Sequence, residues 1–217
     1  DTADWIDLSP NPSPQGEGRR GEVFVGYDSL ETISKIIKYR KVKAKGKEQY
    51  QIILNQTPFY AESGGQVGDT GILESGNEKI IITDTKKENN LIVHFSETLP
   101  KNLSVEFKAS VDKQKRLLTE NNHSATHLLH ASLREVFGKH VEQKGSLVNE
   151  EHLRFDFSHF SKVTDEELQK IEARVNEKIR ENIPADTKMM NIDSAKKLGA
   201  MALFGEKYGD TVRVVTF

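Results

Sequence analysis

The chain has 217 residues, 35% hydrophobic and 29% charged, with a formal net charge of −2, which suits a globular protein of one large domain or two small ones and shows no overall basic excess announcing nucleic acid. Cysteine is absent, so disulfides and thiolate metal sites within these residues are excluded. No apolar run approaches the roughly 18 residues of a membrane span and no signal peptide is visible, so no membrane partner is expected.

Residues 1–20 read as a linker and the tail of a preceding region. Ser9-Pro10-Asn11-Pro12-Ser13-Pro14, with Gly16 and Gly18 after it, has no apolar period. Trp5, Ile6 and Leu8 suit the frayed end of an earlier element. The first residue is Asp1 rather than Met, which suggests a piece excised from something longer. Residues 22–107 read mostly as β-structure, with strands over 22–27, 50–54, 79–83 and 90–95. Residues 33–39 are ambiguous between strand and helix, and Gly76, Asn77, Asn89 and Asn90 supply turns. Lys41, Lys43, Lys45 and Lys47 alternate with Val42, Ala44 and Gly46. This period of two puts the lysines on one face of a strand or hairpin. A phosphate-binding patch is one reading; a solvated edge strand is preferred. Short strands at this spacing suggest a small barrel. Among them lies Thr57-Pro58-Phe59-Tyr60-Ala61-Glu62-Ser63-Gly64-Gly65-Gln66, followed by Gly68-Asp69-Thr70-Gly71. Its glycines permit positive φ and close approach to a ligand, or make an ordinary tight turn.

Residues 112–137 predict a long helix ending at Gly138. His123 and His127 stand one turn apart, on one face, as in helical pairs that bind zinc. At about 100° per residue, His123, His127, His130 and Arg134 share an arc of roughly 60°. Leu117, Leu118, Ala125, Leu128, Leu129, Ser132 and Val136 lie opposite, as a core face. A solvated polar stripe is the plainer reading, and two histidines are fewer than the three or four ligands zinc takes. Strands over 141–148 and 152–157 make a hairpin about Asn149, Glu150 and Glu151. Leu153, Phe155 and Phe157 face one way, and Arg154 and Asp156 the other. Thr164-Asp165-Glu166-Glu167 is a capping box, opening a helix with Leu168, Ile171, Val175 and Ile179 on one face and ending near Pro184. A strand over 188–192, a short helix over 195–198 capped by Asp193, and a strand over 212–215 follow.

Together, the Thr57 to Gly71 run, the His123-Ser124-Ala125-Thr126-His127-Leu128-Leu129-His130 helix, and Gln143-Lys144-Gly145-Ser146-Leu147-Val148 with Arg154-Phe155-Asp156-Phe157 resemble the editing region of alanyl-tRNA synthetases. Ala200-Met201-Ala202-Leu203-Phe204-Gly205-Glu206-Lys207-Tyr208-Gly209-Asp210 adds a fourth match. The resemblance covers roughly residues 20–217. It implies an α+β fold: a small N-terminal β-barrel over 21–108, then an α+β editing domain over 109–217, with an antiparallel sheet packed on long helices, related to the editing domain of threonyl-tRNA synthetases. It implies hydrolysis of Ser-tRNA(Ala) and Gly-tRNA(Ala) made in error, in a cytoplasmic enzyme whose parent joins alanine to tRNA(Ala) with ATP and magnesium in a separate aminoacylation domain. The implied partners are the tRNA(Ala) acceptor end and the rest of that synthetase. The family's zinc site pairs the helix histidines, here His123 and His127, with a downstream Cys and His in a Cys-Gly-Gly-Thr-His motif that this chain lacks.

A pocket for alanine cannot exclude glycine and rejects serine poorly, so a second site must cleave the wrong ester. By position in the motif and by its amide chemistry, Gln143 is the candidate partner for the serine hydroxyl; a strand residue on a solvated face is the alternative. Gly64, Gly65 and Gln66 are candidate backbone or amide donors to the ester. Arg154 and Asp156 form a supporting ion pair, contact the terminal adenosine, or are an ordinary cross-sheet pair. No Ser-His-Asp arrangement is legible, so no covalent enzyme intermediate is expected. A non-catalytic tRNA-binding module and a freestanding alanyl-tRNA editing hydrolase are the alternative functions.

Overall fold

The computed structural model describes residues 2–9, 23–44, 46–89, 91–200 and 209–217. Most of the predicted linker, Lys45, Asn90 and most of the fourth motif lie outside them. The chain divides into two compact units, Asp1–Glu120 with Val148–His152, and Asn121–Leu147 with Leu153–Phe217.

The first unit is built on β1 (Ile6–Asp7), β2 (Val23–Phe24), β3 (Glu31–Ala44), β4 (Lys47–Leu54), β5 (Gln56–Thr57), β6 (Gly71–Ser75), β7 (Glu78–Ile82), β8 (Asp84–Glu88), β9 (Leu91–Ser96) and β10 (Glu106–Val111). Hydrogen-bonded neighbours run β7-β6-β10-β3-β4-β9-β8, with β1 on β3 and β2 on β5. Every pair on the main path is antiparallel. Residues 33–39 resolve as strand. Their β-branched Ile33, Ile36 and Ile37 favour extended backbone, and β10 and β4 pair on either side. Residues 6–7, expected as a frayed tail, pair instead with Tyr39 and Lys38.

The lysine run forms a hairpin. Lys41 pairs with Tyr50 and Lys43 with Glu48 across β4, and Lys41 Nζ lies 2.7 Å from the Glu48 carboxylate. Lys41 and Lys43 are exposed, as the solvated-strand reading expects, with β4 paired along one edge of β3 there. The core follows the pleat. In β7, Ile80 and Ile82 point inward while Lys79 and Ile81 are exposed. They join Ile52, Leu54, Phe59, Leu73 and Phe107 in one cluster, each buried side chain contributing about 1.5–3 kcal/mol.

Helix α1 (Lys113–Phe137) starts where Asp112 accepts a hydrogen bond from the Lys115 N–H at 3.1 Å. It stops at Gly138, whose φ of +107° breaks the helical run. Its faces differ from the expected ones. Leu117 and Leu118 are 55% and 42% exposed, whereas Arg116, Thr119, Thr126, His130 and Leu133 are buried. At 100° per residue these five span an arc of about 100° that contains His123. The helix thus buries its nitrogen-rich side, but the expected core face holds in its last turns, where Ser132 is also buried and Leu129 and Val136 pack on the second unit's core. Hydrophobic patterning misleads here because polar groups inside are tolerated once they are paired, as Arg116 is.

In the second unit, β11 (Gln143–Val148) pairs with β12 (Leu153–Phe157), and β13 (Asp186–Asn191) pairs with β14 (Thr211–Thr216). α2 (Asp165–Glu181) lies between the two pairs in sequence, and α3 (Ile192–Lys197) lies between β13 and β14. The capping box forms in full, and α2 ends on Asn182 in the left-handed region at φ +48°. The cap of α3 is Asn191, whose side chain accepts from the Asp193 N–H at 2.8 Å, so the expected Asp193 cap is corrected by two residues. Leu133, Val141 and Ile171 form this unit's core, flanked by Leu129, Val136, Phe155, Phe157 and Val175.

Candidate functional site

The glycine run is held at three points, all within the first unit. At its start, Thr57 Oγ1 lies 2.7 Å from His94 Nε2 and accepts the Phe59 N–H at 3.1 Å. His94 Nδ1 lies 3.0 Å from the Ile52 carbonyl. A carbonyl can only accept, so Nδ1 carries the proton and Nε2 accepts from Thr57. His94 is fully buried, and loss of hydration pushes its pKa down to about 4.

In the middle, the Asp69 carboxylate accepts the Tyr60 N–H at 2.7 Å and the Arg116 Nε–H at 3.0 Å. Arg116 also donates to the Gly26 carbonyl at 2.9 Å and the Pro58 carbonyl at 3.1 Å. Both ionic side chains are buried. Sequence reading missed this clamp, because no local pattern links two residues 47 positions apart. Beside it lies a pocket of about 190 Å³ lined by Gly68, Thr83, Asp84, Lys115 and Glu150, among others. Lys115 is 3.1 Å from the Glu150 carboxylate, so the charges there are balanced and recommend no anion.

At the tip, Ser63 and Gln66 exchange both backbone hydrogen bonds at 3.1 and 3.0 Å. Gly64 and Gly65 between them have φ of +59° and +83°, the signature of a primed two-residue turn. The ordinary-turn reading of the glycines holds here. The Gln66 backbone N–H is taken up by this turn, so of the backbone and amide alternatives expected of Gln66 only the amide concerns the ester. Among the described residues, neither Gly64 nor Gly65 gives its N–H to a protein acceptor. The turn docks on Val148, which belongs to the first unit: the Val148 N–H donates to Gly65 O at 2.7 Å and the Val67 N–H to Val148 O at 3.0 Å.

In the second unit, the rings of His123 and His127 lie 5.1 Å apart at 12° to each other. Both are half-buried. Loss of hydration lowers both pKa values, and His127 is lowered further by the neighbouring imidazoles. Neutral imidazole is the form that binds metal or accepts a proton. Phe217 stands edge-on to His127 at 6.2 Å. His130, expected beside the pair on a polar stripe, is 2% exposed and lies 5.1 Å from the Phe155 ring. Neither of its nitrogens makes a hydrogen bond of ordinary geometry among the described residues. Burial lowers its pKa, and the nearby Val141 backbone offsets part of that effect. Among the described residues no group of three His, Cys, Asp or Glu converges as a metal site. The pair supplies two neutral nitrogen donors where catalytic zinc takes three protein ligands, so the described residues fit such a metal only in part.

Gln143 opens β11, half-buried, at the opposite end of that strand from Val148. Arg154 Nε and Asp156 Oδ1 form an ion pair at 3.2 Å, both side chains largely exposed. Gly145 faces this pair: a Cβ there would lie 2.6 Å from Asp156 Oδ2.

With this geometry in view, residues 11–117 match the family model described as tRNA synthetases class II (A). The chain is 59% identical to an alanine–tRNA ligase of Cytophaga hutchinsonii and 57% identical to one of Parabacteroides distasonis, in each case over 100% of this chain and 24% of the relative. An alanine–tRNA ligase of Porphyromonas gingivalis is 48% identical over the same shares. The whole of this chain is therefore similar to one stretch of alanine–tRNA ligases, and spans about a quarter of their length.

Proposed function

We propose that the chain is the editing part of an alanine–tRNA ligase and hydrolyses Ser-tRNA(Ala) and Gly-tRNA(Ala). The observation that carries this reading is the pair of stacked, half-buried imidazoles of His123 and His127, kept neutral by burial. The similarity to alanine–tRNA ligases supports tRNA(Ala) as the carrier of the ester. In this reading the tRNA(Ala) acceptor end and the rest of the synthetase are partners, the compartment is the cytoplasm, and ATP and magnesium serve only the parent's aminoacylation region. The architecture it entails is a small barrel followed by an α+β editing domain. The barrel is supported by the main path of the first unit, whose end strands β7 and β8 are consecutive in the chain.

Hydrolysis adds water across the ester, releasing the amino acid and the ribose hydroxyl of the tRNA. With no metal bound, a neutral imidazole at His123 or His127 can take the proton from that water; a ring that ligates zinc could not. The N–H groups of Gly64 and Gly65, within the first unit, are donors of the kind that stabilise an oxyanion. The Gln143 amide can pair with a serine hydroxyl, a contact that alanine lacks. His123 and His127 would be two of the ligands of a zinc ion; since the described residues supply no third, no step is assigned to metal.

The test is deacylation of Ser-tRNA(Ala) by this chain and by a longer piece of the same protein. Cleavage that falls at least about 100-fold in His123→Ala and His127→Ala supports the reading. The incomplete ligand set favours one second reading, a tRNA-binding module without hydrolysis. Binding by both pieces with cleavage only by the longer one would establish it.

A further inference from the structure

A ladder of rings in the second unit has no part in the chemistry above. It starts in the core, where Phe137 at the end of α1 lies 6.4 Å from Phe157 of β12, with planes 16° apart. Phe137 stacks on His159 at 4.1 Å. His159 Nδ1 and His140 Nε2 are 3.1 Å apart and share a hydrogen bond, with their planes within 20°. His140 stacks on Phe160 at 4.4 Å and 24°. There the ladder ends: Phe160 is 87% exposed, more than any other large apolar side chain among the described residues.

The two loops that carry these rings are stitched together. Ser158 N donates to Glu142 O at 3.0 Å, and Ser158 Oγ accepts from Glu142 N at 3.2 Å. Ser161 Oγ lies 3.3 Å from His159 Nε2. The His159 ring is thus held through both nitrogens and His140 through Nε2, and the platform is built before any ligand arrives.

We propose that Phe160, backed by His140 and His159, is a stacking platform for an unpaired base of the RNA that this chain binds. The inference rests on the tRNA-directed reading and adds a binding site to it. Near-parallel aromatic and imidazole rings offer a flat π-face, which suits a planar base. The chain around Phe160 is polar rather than a broad apolar patch, which argues against a hydrophobic protein partner. The charge also suits a polyanion. Lys139 and Lys162 flank His140 and Phe160 in sequence, are exposed, and pair with no carboxylate among the described residues. Two nearby carboxylates are engaged, Glu142 by Lys144 at 2.9 Å and Glu167 by the Thr164 cap, while Asp165 and Glu166 in the first turn of α2 are exposed.

The experiment measures affinity for unacylated tRNA(Ala) across a salt series, with melting curves confirming that each variant is folded. Phe160→Ala should weaken binding about tenfold, within the range of one lost base stack, without changing the salt slope. Phe160→Trp should bind at least as well as the parent chain, and Phe160→Leu, which keeps the bulk but loses the π-face, should weaken like Ala. Lys139→Gln with Lys162→Gln should reduce the salt slope by about two. Binding by Phe160→Ala within about twofold of the parent, or full affinity in Phe160→Leu, overturns the platform. If the parent chain deacylates Ser-tRNA(Ala) while Phe160→Ala binds unchanged, this inference alone falls. If the parent binds no RNA, both fall.

Discussion

His94 and Arg116 do their work as single residues, neither near the ends of the motif they hold. His94 is neutral inside the fold, with its pKa pushed to about 4 from the ordinary 6.5. Between those values only the unfolded chain takes up the proton, so stability is full above pH 6.5 and falls as pH drops through the window. The loss is of order 3 kcal/mol, from about 2.5 units at 1.4 kcal/mol each. Melting temperature should therefore decline on acidification across that window, and His94→Gln should flatten that part of the profile. Arg116 and Asp69 are a buried ion pair, for which removing one partner costs about 3–5 kcal/mol because the other charge is stranded. Asp69→Asn should show most of that loss in melting, whereas Glu120→Gln should show little, since Glu120 meets Arg116 only at 3.4 Å from an exposed position. The imidazole of His130 shows the other side of the same physics, as a buried polar ring with no hydrogen bond of ordinary geometry among the described residues, its desolvation offset only in part by the nearby Val141 backbone.

At the scale of elements, the glycine run and α1 show how differently two signals read. The run is legible as a loop, and the structure separates its glycines by job. Gly64 is open, with nothing within 4 Å of a built Cβ, and is special only in its φ of +59°. Gly68 has an ordinary φ, but a Cβ there would sit 1.9 Å from Thr85 O, part of the backbone of β8. Gly64→Ala should cost about 1 kcal/mol, and Gly68→Ala several times more, because two backbones must separate; parallel melts check the ratio. Strands such as β4, β7 and β9 were legible as short apolar runs rich in β-branched residues and bounded by turn residues. β8 and β10 were not: Asp84-Thr85-Lys86-Lys87-Glu88 offers only Thr85 to the interior, and the inward set of β10 includes Ala109 and Ser110. In α1 the helix was plain but its buried side was not. Apolar periodicity pointed at Leu117 and Leu118, and the fold buried Arg116 and Thr119 instead, because the partners that make this tolerable come from distant strands and loops.

For the whole molecule, the metal question is the one that measurement can decide most directly. Two neutral imidazoles one turn apart hold a divalent ion weakly. Calorimetric titration of this chain with zinc should show binding well short of a three- or four-ligand centre, abolished by His127→Ala. A piece extending further along the parent should bind far more tightly if its added residues complete the set. Tight binding by this chain alone would mean that ligands beyond the described residues join the pair.

The order and type of most elements, the histidine spacing, the capping box and the family resemblance came from local rules: period, turn chemistry and motif, which act over a few residues. The His94–Thr57 and Asp69–Arg116 links, the docking of the glycine turn on Val148, the burial of His130 and the ring ladder ending at Phe160 came from folding alone. Each joins groups far apart in the chain or depends on which face is dehydrated, and neither the distance nor the loss of water is written in any stretch short enough to read.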